Sequence, residues 1–273
     1  MKLNFFFDID GTIVPFGKAI PQSTVDAIQY AKSLGHRVFL STGRATFEVQ
    51  DDVNELPFDG GVFSAGSELR WEGRQVFKHH ASEQQRKLFF DVVKKYNLLW
   101  LIQGRENTYG TTRSVEYYEK LCYEVDGGIV PLKNLKIVDA FPDSDPIMKF
   151  FILSENGKVL DARRELDGLF ETVNNTTGFP PESAAEIMIA GSSKSNGIIK
   201  LVSLIGDDMK STVGIGDGEN DLGMIDVCNL GIAMGNACQI LKDHADYVTD
   251  TIDNDGLAKA IYYAIDNLKQ EGI

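Results

Sequence analysis

Phe5-Phe6-Phe7-Asp8-Ile9-Asp10-Gly11-Thr12-Ile13-Val14 is an apolar run that stops in two carboxylates, a glycine and a threonine. Consecutive phenylalanines suit a strand buried on both faces, as in a parallel sheet. In an extended segment residues i and i+2 share a side, so Asp8 and Asp10 face one spot. Two close carboxylates raise each other's pKa. A divalent cation relieves that repulsion, and Mg2+ takes a few carboxylate oxygens together with waters and substrate phosphate. An acidic helix cap after a strand would also give Asp-x-Asp, so the rest of the chain has to decide.

Outward from this stretch, strand and helix alternate. Leu3 to Phe7 is a strand. Pro21 to Leu34 is a helix with a stripe of Val25, Ile28, Ala31 and Leu34, and Gly35 stops it. Arg37 to Leu40 is a strand, Ala45 to Asn54 a helix and Gly61 to Phe63 a strand. The rhythm returns near the C-terminus: helix Ser195 to Leu204, strand Thr212 to Ile215, strand Leu230 to Ala233, helix Cys238 to Asp243, strand Tyr247-Val248 and helix Leu257 to Leu268. Such alternation implies a parallel sheet covered by helices.

The middle reads differently. A helix over Ser82 to Tyr96 is followed by strands at Leu98 to Gln103 and Ile147 to Leu153. A helix over Val159 to Leu169 precedes strands at Phe170 to Val173 and Glu186 to Ile189. Turn-rich breaks fall at Pro142 to Pro146 and Asn174 to Pro181. The expected organisation is a discontinuous α/β core, residues 1–81 and 190–273, interrupted by an inserted α+β domain, residues 82–189.

Bulk properties narrow the function. The 273 residues carry a formal net charge of -13, which disfavours nucleic acid and anionic membrane as partners. No apolar stretch reaches the roughly 18–20 residues a bilayer span needs, and the opening run is too short for a signal-peptide core. Cys122, Cys228 and Cys238 show no metal-ligand spacing and suit a reducing compartment. The protein is expected to be cytoplasmic.

Four clusters follow strands or open helices of the core. They are Asp8-x-Asp10-Gly11-Thr12, then Ser41-Thr42-Gly43-Arg44, then Lys194 behind Gly191-Ser192-Ser193, and Gly216-Asp217-Gly218-Glu219-Asn220-Asp221. Open α/β sheets bind ligands outside the carboxyl ends of their strands, so these clusters are expected on one rim. Alone, each has a plainer reading: a solvated lysine, a strand-to-helix turn, an acidic turn. A calcium loop is disfavoured for the last, because its third position is Glu219 and Cys228 stands at the twelfth, where that loop needs a glutamate.

Together they fit phosphoryl transfer. Asp8 is the expected nucleophile and Asp10 the acid and base. Mg2+ would bridge Asp8, Asp217 and a phosphate oxygen. The Thr42 hydroxyl and nearby N–H groups would hold phosphate oxygens, Lys194 would offset charge, and Gly11 and Gly43 would admit close backbone approach. Arg44 is read either as a substrate contact or as part of an ion pair between core and insertion.

This set of clusters resembles the four motifs of the haloacid dehalogenase (HAD) superfamily. Ala233-Met234-Gly235-Asn236-Ala237, Ala245-Asp246-Tyr247-Val248-Thr249 and Asp255-Gly256-Leu257-Ala258 are similar to its Cof-type sugar-phosphatase branch. The resemblance implies a Rossmann-like parallel-sheet core, an α/β cap inserted between the second and third motifs, and Mg2+-dependent phosphatase activity on a small phosphorylated metabolite. It further implies that Asp10 gives its backbone carbonyl to the metal, and that Asn220 and Asp221 support the phosphate and a metal-bound water. Where family members commonly show Asn-Gly-Ala, this chain has Ala65-Gly66-Ser67. A phosphomannomutase-like phosphosugar mutase places a cap in the same way and stays open as an alternative. So does a non-catalytic phosphometabolite-binding regulator, although such a protein has no need of Asp10.

Overall fold

The computed structural model describes residues 2–125, 132–174 and 178–268. Contacts divide the chain into two compact units. Met1–Gly43, Val49–Phe77 and Lys194–Ile273 form the first, and Arg44–Glu48 with Lys78–Ser193 form the second. The second unit therefore takes up residues 78–81 and 190–193 beyond the span expected from sequence, and a short strap besides.

In the first unit β1 (Asn4–Phe7) leads through α1 (Gln22–Ser33) to β2 (Arg37–Ser41), then through a single helical turn α2 (Asp51–Asn54) to β3 (Gly60–Phe63). The hairpin β4 (Glu68–Trp71) and β5 (Arg74–Lys78) follows. The second unit is built from α3 (Glu83–Tyr96), β6 (Leu99–Gln103), β7 (Thr108–Gly110), α4 (Thr112–Glu124), β8 (Leu135–Ile137), β9 (Lys149–Leu153), α5 (Val159–Leu166), β10 (Phe170–Asn174) and β11 (Ala184–Ile189). The chain then returns to the first unit with α6 (Lys194–Leu204), β12 (Thr212–Gly216), α7 (Leu222–Val227), β13 (Leu230–Ala233), α8 (Gln239–His244), β14 (Tyr247–Val248) and α9 (Gly256–Leu268).

The eight strands of the first unit run in the order β14-β13-β12-β1-β2-β3-β4-β5. Pairing is parallel from β14 to β3 and antiparallel between β3 and β4. The fold is thus α/β with a parallel-sheet core. Phe5 and Phe7 point to one face, against Ala27, Ile28 and Ala31 of α1 and Leu257, Ile261 and Ile265 of α9. Phe6 points to the other, against Phe39 and the α6 residues Ile198, Leu201 and Val202. Full burial of each phenylalanine contributes about 1.5–3 kcal/mol, which fixes β1 at the centre. From β1 the chain goes first to β2 on one side and later to β12 on the other. That reversal makes the carboxyl end of β1 the switch point where open α/β sheets leave a crevice.

The second unit is a six-stranded sheet in the order β10-β11-β9-β6-β7-β8. Helices α3 and α5 pack on one face through Phe89, Val92, Ala162 and Leu166. Helix α4 packs on the other through Val115, Tyr118 and Leu121. Ser82 caps α3 in a reciprocal box with Gln85.

Some elements depart from the sequence expectation. The helix expected over Ala45 to Asn54 is a 3-10 turn at Thr46–Glu48 and then α2. Glu48 is the cause: its carboxylate takes the Ala45 N–H at 2.8 Å, Gln103 Nε2 at 2.6 Å and Thr108 Oγ1 at 2.9 Å. Those bonds hold the Arg44–Glu48 strap in the second unit. Helix α5 ends at Leu166 rather than Leu169, because Asp167 turns extended. The β4–β5 hairpin, β7, α4 and β8 were not expected at all. Part of the Asn174 to Pro181 break, residues 175–177, lies outside the described residues. Among the described residues no helix is long and apolar enough to cross a membrane.

Candidate active site

The carboxyl end of β1 carries Asp8, whose N–H still donates to Ile215 O of β12 at 3.0 Å. Its backbone is therefore locked into the ladder. Lys194 opens α6 and sends its ammonium to Asp8 Oδ1 at 2.6 Å and to Asp221 Oδ1 at 2.5 Å. All three side chains are buried. The other oxygen of Asp221 accepts the N–H groups of Asp217 and Gly218 at 3.0 and 3.1 Å, so that carboxylate clamps the loop after β12. Asp217 accepts the Thr12 hydroxyl at 2.9 Å.

Gly11 explains why this corner needs a glycine. Its φ is +82°, and a Cβ there would stand 2.2 Å from Asp217 Oδ2. Any larger residue would be strained in backbone and would displace the carboxylate.

The remaining expected residues lie as follows. Asp10 is half-buried and close enough to raise the pKa of both Asp8 and Asp217. Thr42 is buried just beyond β2, with its N–H on Val62 O at 2.9 Å. Register places Leu40 beside Phe7, so Thr42 follows on the rim next to Asp8. Gly43 ends its segment of the first unit, half-buried. Asn220 is half-buried, with its Oδ1 turned over Gly218. Arg44 is not grouped with them: it belongs to the strap of the second unit and donates to Glu48 O at 3.2 Å. Thr12 stood in the quoted motif without a role. Only the adjacency of β1 and β12 reveals what its hydroxyl holds.

The electrostatics are lopsided. Asp8, Asp10, Asp217 and Asp221 set four carboxylates against one ammonium. Burial, then repulsion from Asp221, Asp217 and Asp10, pushes Asp8 well above the usual carboxylate range, although Lys194 pulls it down. Burial and Asp221 push Asp217 up to about 7, against the Thr12 bond and Lys194. For Lys194, burial works to lower the pKa, but Asp221 and Asp8 raise it overall. The site is short of positive charge. Oxygens of Asp8, Asp217 and Asp221 lie within 4.8 Å of one another, and an all-carboxylate donor set suits a hard divalent cation such as Mg2+.

A pH dependence follows. A carboxyl whose pKa is raised on folding holds its proton more tightly in the native state. Its ionisation therefore costs stability progressively from the unfolded value upward. For Asp217 that window runs from 3.8 to about 7. In chelator, Asp217→Asn should gain in Tm over the parent protein as pH rises through this window, and Mg2+ should shrink the difference. A difference that stays flat across the window would show that Asp217 is not destabilised by its ionisation.

Comparison with known proteins gives a consistent set of likenesses. A family model described as haloacid dehalogenase-like hydrolase matches residues 5–261. YkrA of Bacillus subtilis, provisionally named a phosphatase, is 30% identical over 267 residues, covering 94% of this chain and 95% of that protein. YcsE of the same organism, a 5-amino-6-(5-phospho-D-ribitylamino)uracil phosphatase, is 27% identical over 257 residues, covering 93% and 92%. Among solved structures, the HAD subclass IIB sugar phosphatase BT4131 is similar with a TM-score of 0.80 at 25% identity, over 96% of this chain and 98% of that one.

Proposed function

The chain belongs to the haloacid dehalogenase-like hydrolase family and is a phosphatase, and from that premise we propose that it hydrolyses a small phosphorylated metabolite, a sugar phosphate first among them, through an aspartyl-phosphate on Asp8. The observation that carries this reading is the buried ammonium of Lys194 between Asp8 and Asp221, with Asp217 beside them. Asp8 and Asp217, with the Asp10 carbonyl, would hold Mg2+. When bound, the ion supplies the positive charge that lets an anionic nucleophile meet an anionic ester.

An Asp8 carboxylate oxygen forms a bond to phosphorus. The bond from phosphorus to the leaving oxygen breaks, and its electron pair leaves with that oxygen. Asp10 hands the leaving oxygen a proton. Asp10, now a carboxylate, takes a proton from water as the water attacks phosphorus. The acyl-phosphate bond breaks, freeing inorganic phosphate and restoring Asp8. Lys194 keeps Asp8 aimed and offsets charge, and Thr42, Gly11, Gly43 and Asn220 line the phosphate.

The preference for sugar phosphates is supported by the relatives, one a sugar phosphatase and one acting on a phosphoribityl compound. Three free cysteines fit the cytoplasmic setting this reading assumes. Chemistry in the first unit and substrate choice in the second form part of the same reading.

The test is phosphate release from a panel of phosphate esters, with Mg2+ and with chelator. Activity should need the metal. Asp10→Asn should lower kcat on sugar phosphates by about 10²–10⁴-fold, the usual worth of an acid–base group. The loss should be smaller on an activated aryl ester, whose leaving group needs no proton. Equal losses on both esters would remove Asp10 from the proton transfer.

A further inference from the structure

We propose that Asn236 is a positioning residue that fixes the Gly11–Thr12 peptide and, through it, the proton transfer at Asp10. The proposal rests on the phosphatase reading above. Asn236 Nδ2 donates to Gly11 O at 2.8 Å, across 225 residues of chain. Its Oδ1 accepts the N–H of Ile252 at 2.9 Å. One end of the amide meets a carbonyl and the other an N–H, so the two partners fix which way it points.

The mount is rigid. Met234 N donates to Gly216 O at 2.9 Å, which ties the exit of β13 to the end of β12. Gly235 N donates to Asp250 O at 2.9 Å, and a Cβ on Gly235 would stand 2.5 Å from the Asp250 carbonyl carbon and from Thr251 N. The backbone that carries Asn236 is thus pressed against the segment before α9.

The loop is pinned on either side of that peptide, by Ile13 N and Val14 N on Ile9 O at 2.9 Å each and by the Asp10–Val14 bridge, but the Gly11–Thr12 peptide itself is held less tightly. The Thr12 N–H reaches Ile9 O at 3.3 Å, a long bond, while Gly11 N donates to Val14 O at 2.9 Å. Glycine torsions are soft, so the Gly11–Thr12 peptide could rotate if its carbonyl were released. Rotation would disturb both neighbours. On one side is Asp10, the acid and base. On the other is Thr12, whose hydroxyl holds Asp217. The amide of Asn236 blocks that rotation from a mount on a different strand.

Asn236→Asp keeps the shape and the Ile252 bond but sets a carboxylate oxygen against the Gly11 carbonyl. Asn236→Ala removes both bonds. With Mg2+ at a temperature well below Tm, both variants should lower kcat on a sugar phosphate by about 10²-fold, as misplacement of a reacting group does. KM should change little, and an activated aryl phosphate should lose far less. A purely structural asparagine would lower Tm without altering the ratio between the two esters. If Asn236→Ala does not fold, Asn236→Asp carries the test, because it keeps the bond to Ile252. Equal losses on both esters, or an unchanged ratio with only a lower Tm, overturn the proposal. Asp10→Asn run alongside separates the failures. If Asp10→Asn is itself unselective, the proton assignment falls and Asn236 falls with it. If Asp10→Asn is selective and the Asn236 variants are not, only Asn236 loses its role.

Discussion

Asp8→Asn will reduce turnover by about 10⁴-fold or more, the scale on which loss of a covalent nucleophile is felt. The amide keeps the side-chain shape and an acceptor for Lys194, but its oxygen has no negative charge to bring to phosphorus. The same change should leave the metal-free protein at least as stable as its parent. Burial and three neighbouring carboxylates already disfavour the charged form of Asp8, so a neutral residue there removes a cost. Activity and chelator-state Tm should therefore move in opposite directions. Near-normal turnover by Asp8→Asn with Mg2+ would end the covalent mechanism, and a sharp drop in Tm would show that the ion pair with Lys194 dominates the repulsion.

Lys194→Met should damage both function and fold. The methionine fills the space of the stem but leaves Asp8 and Asp221 buried without their ammonium. Breaking a buried pair by removing one partner costs about 3–5 kcal/mol, which urea unfolding would read directly. The raised pKa of Lys194 means that its stabilisation is complete below the ordinary lysine range and is lost only above it. The penalty should thus be present at neutral pH. It should ease in acid, where the abandoned carboxylates take up protons instead. Lys194→Arg should not rescue turnover, since a planar guanidinium does not fit a buried space shaped for a point charge. A penalty under about 1 kcal/mol, the range of surface pairs, would show that solvent reaches the site.

What the chain disclosed in advance depended on where the information lay. Phe5-Phe6-Phe7 could be read because a strand buried on both faces must be apolar throughout. The local Asp-x-Asp spacing does bring Asp10 near Asp8, but β1 ends at Phe7 and the chain bends at Ile9, so strand alternation is not what does it. The bond from Thr12 to Asp217 could not, because it depends on β1 lying beside β12, a neighbour more than 200 residues away. The Ala45 to Asn54 helix failed for a related reason: Gln103 and Thr108, distant in sequence, compete for Glu48. The β4–β5 hairpin did leave a local sign. Glu72 and Gly73 both have positive φ, the two-residue turn that favours a hairpin. Trp71-Glu72-Gly73-Arg74 lacks the asparagine or aspartate that usually marks it. Helix α4 left a local sign too, since Val115, Tyr118, Leu121 and Cys122 recur at i, i+3, i+6 and i+7, the spacing of one helix face.

The strand order also has a consequence for the growing chain. Asn4 to Phe7 pair on one side with Arg37 to Leu40 and on the other with Thr212 to Ile215. The first partner is made early, the second only after all of Lys78–Ser193. Until then the central strand keeps a bare hydrogen-bonding edge. That edge is a template for wrong pairing during a wait set by the rate of translation. The continuous part of the second unit, by contrast, has its strands from β6 to β11 within one stretch of chain. The split core is thus the late and vulnerable step of biogenesis, and its central strand is the one that waits longest.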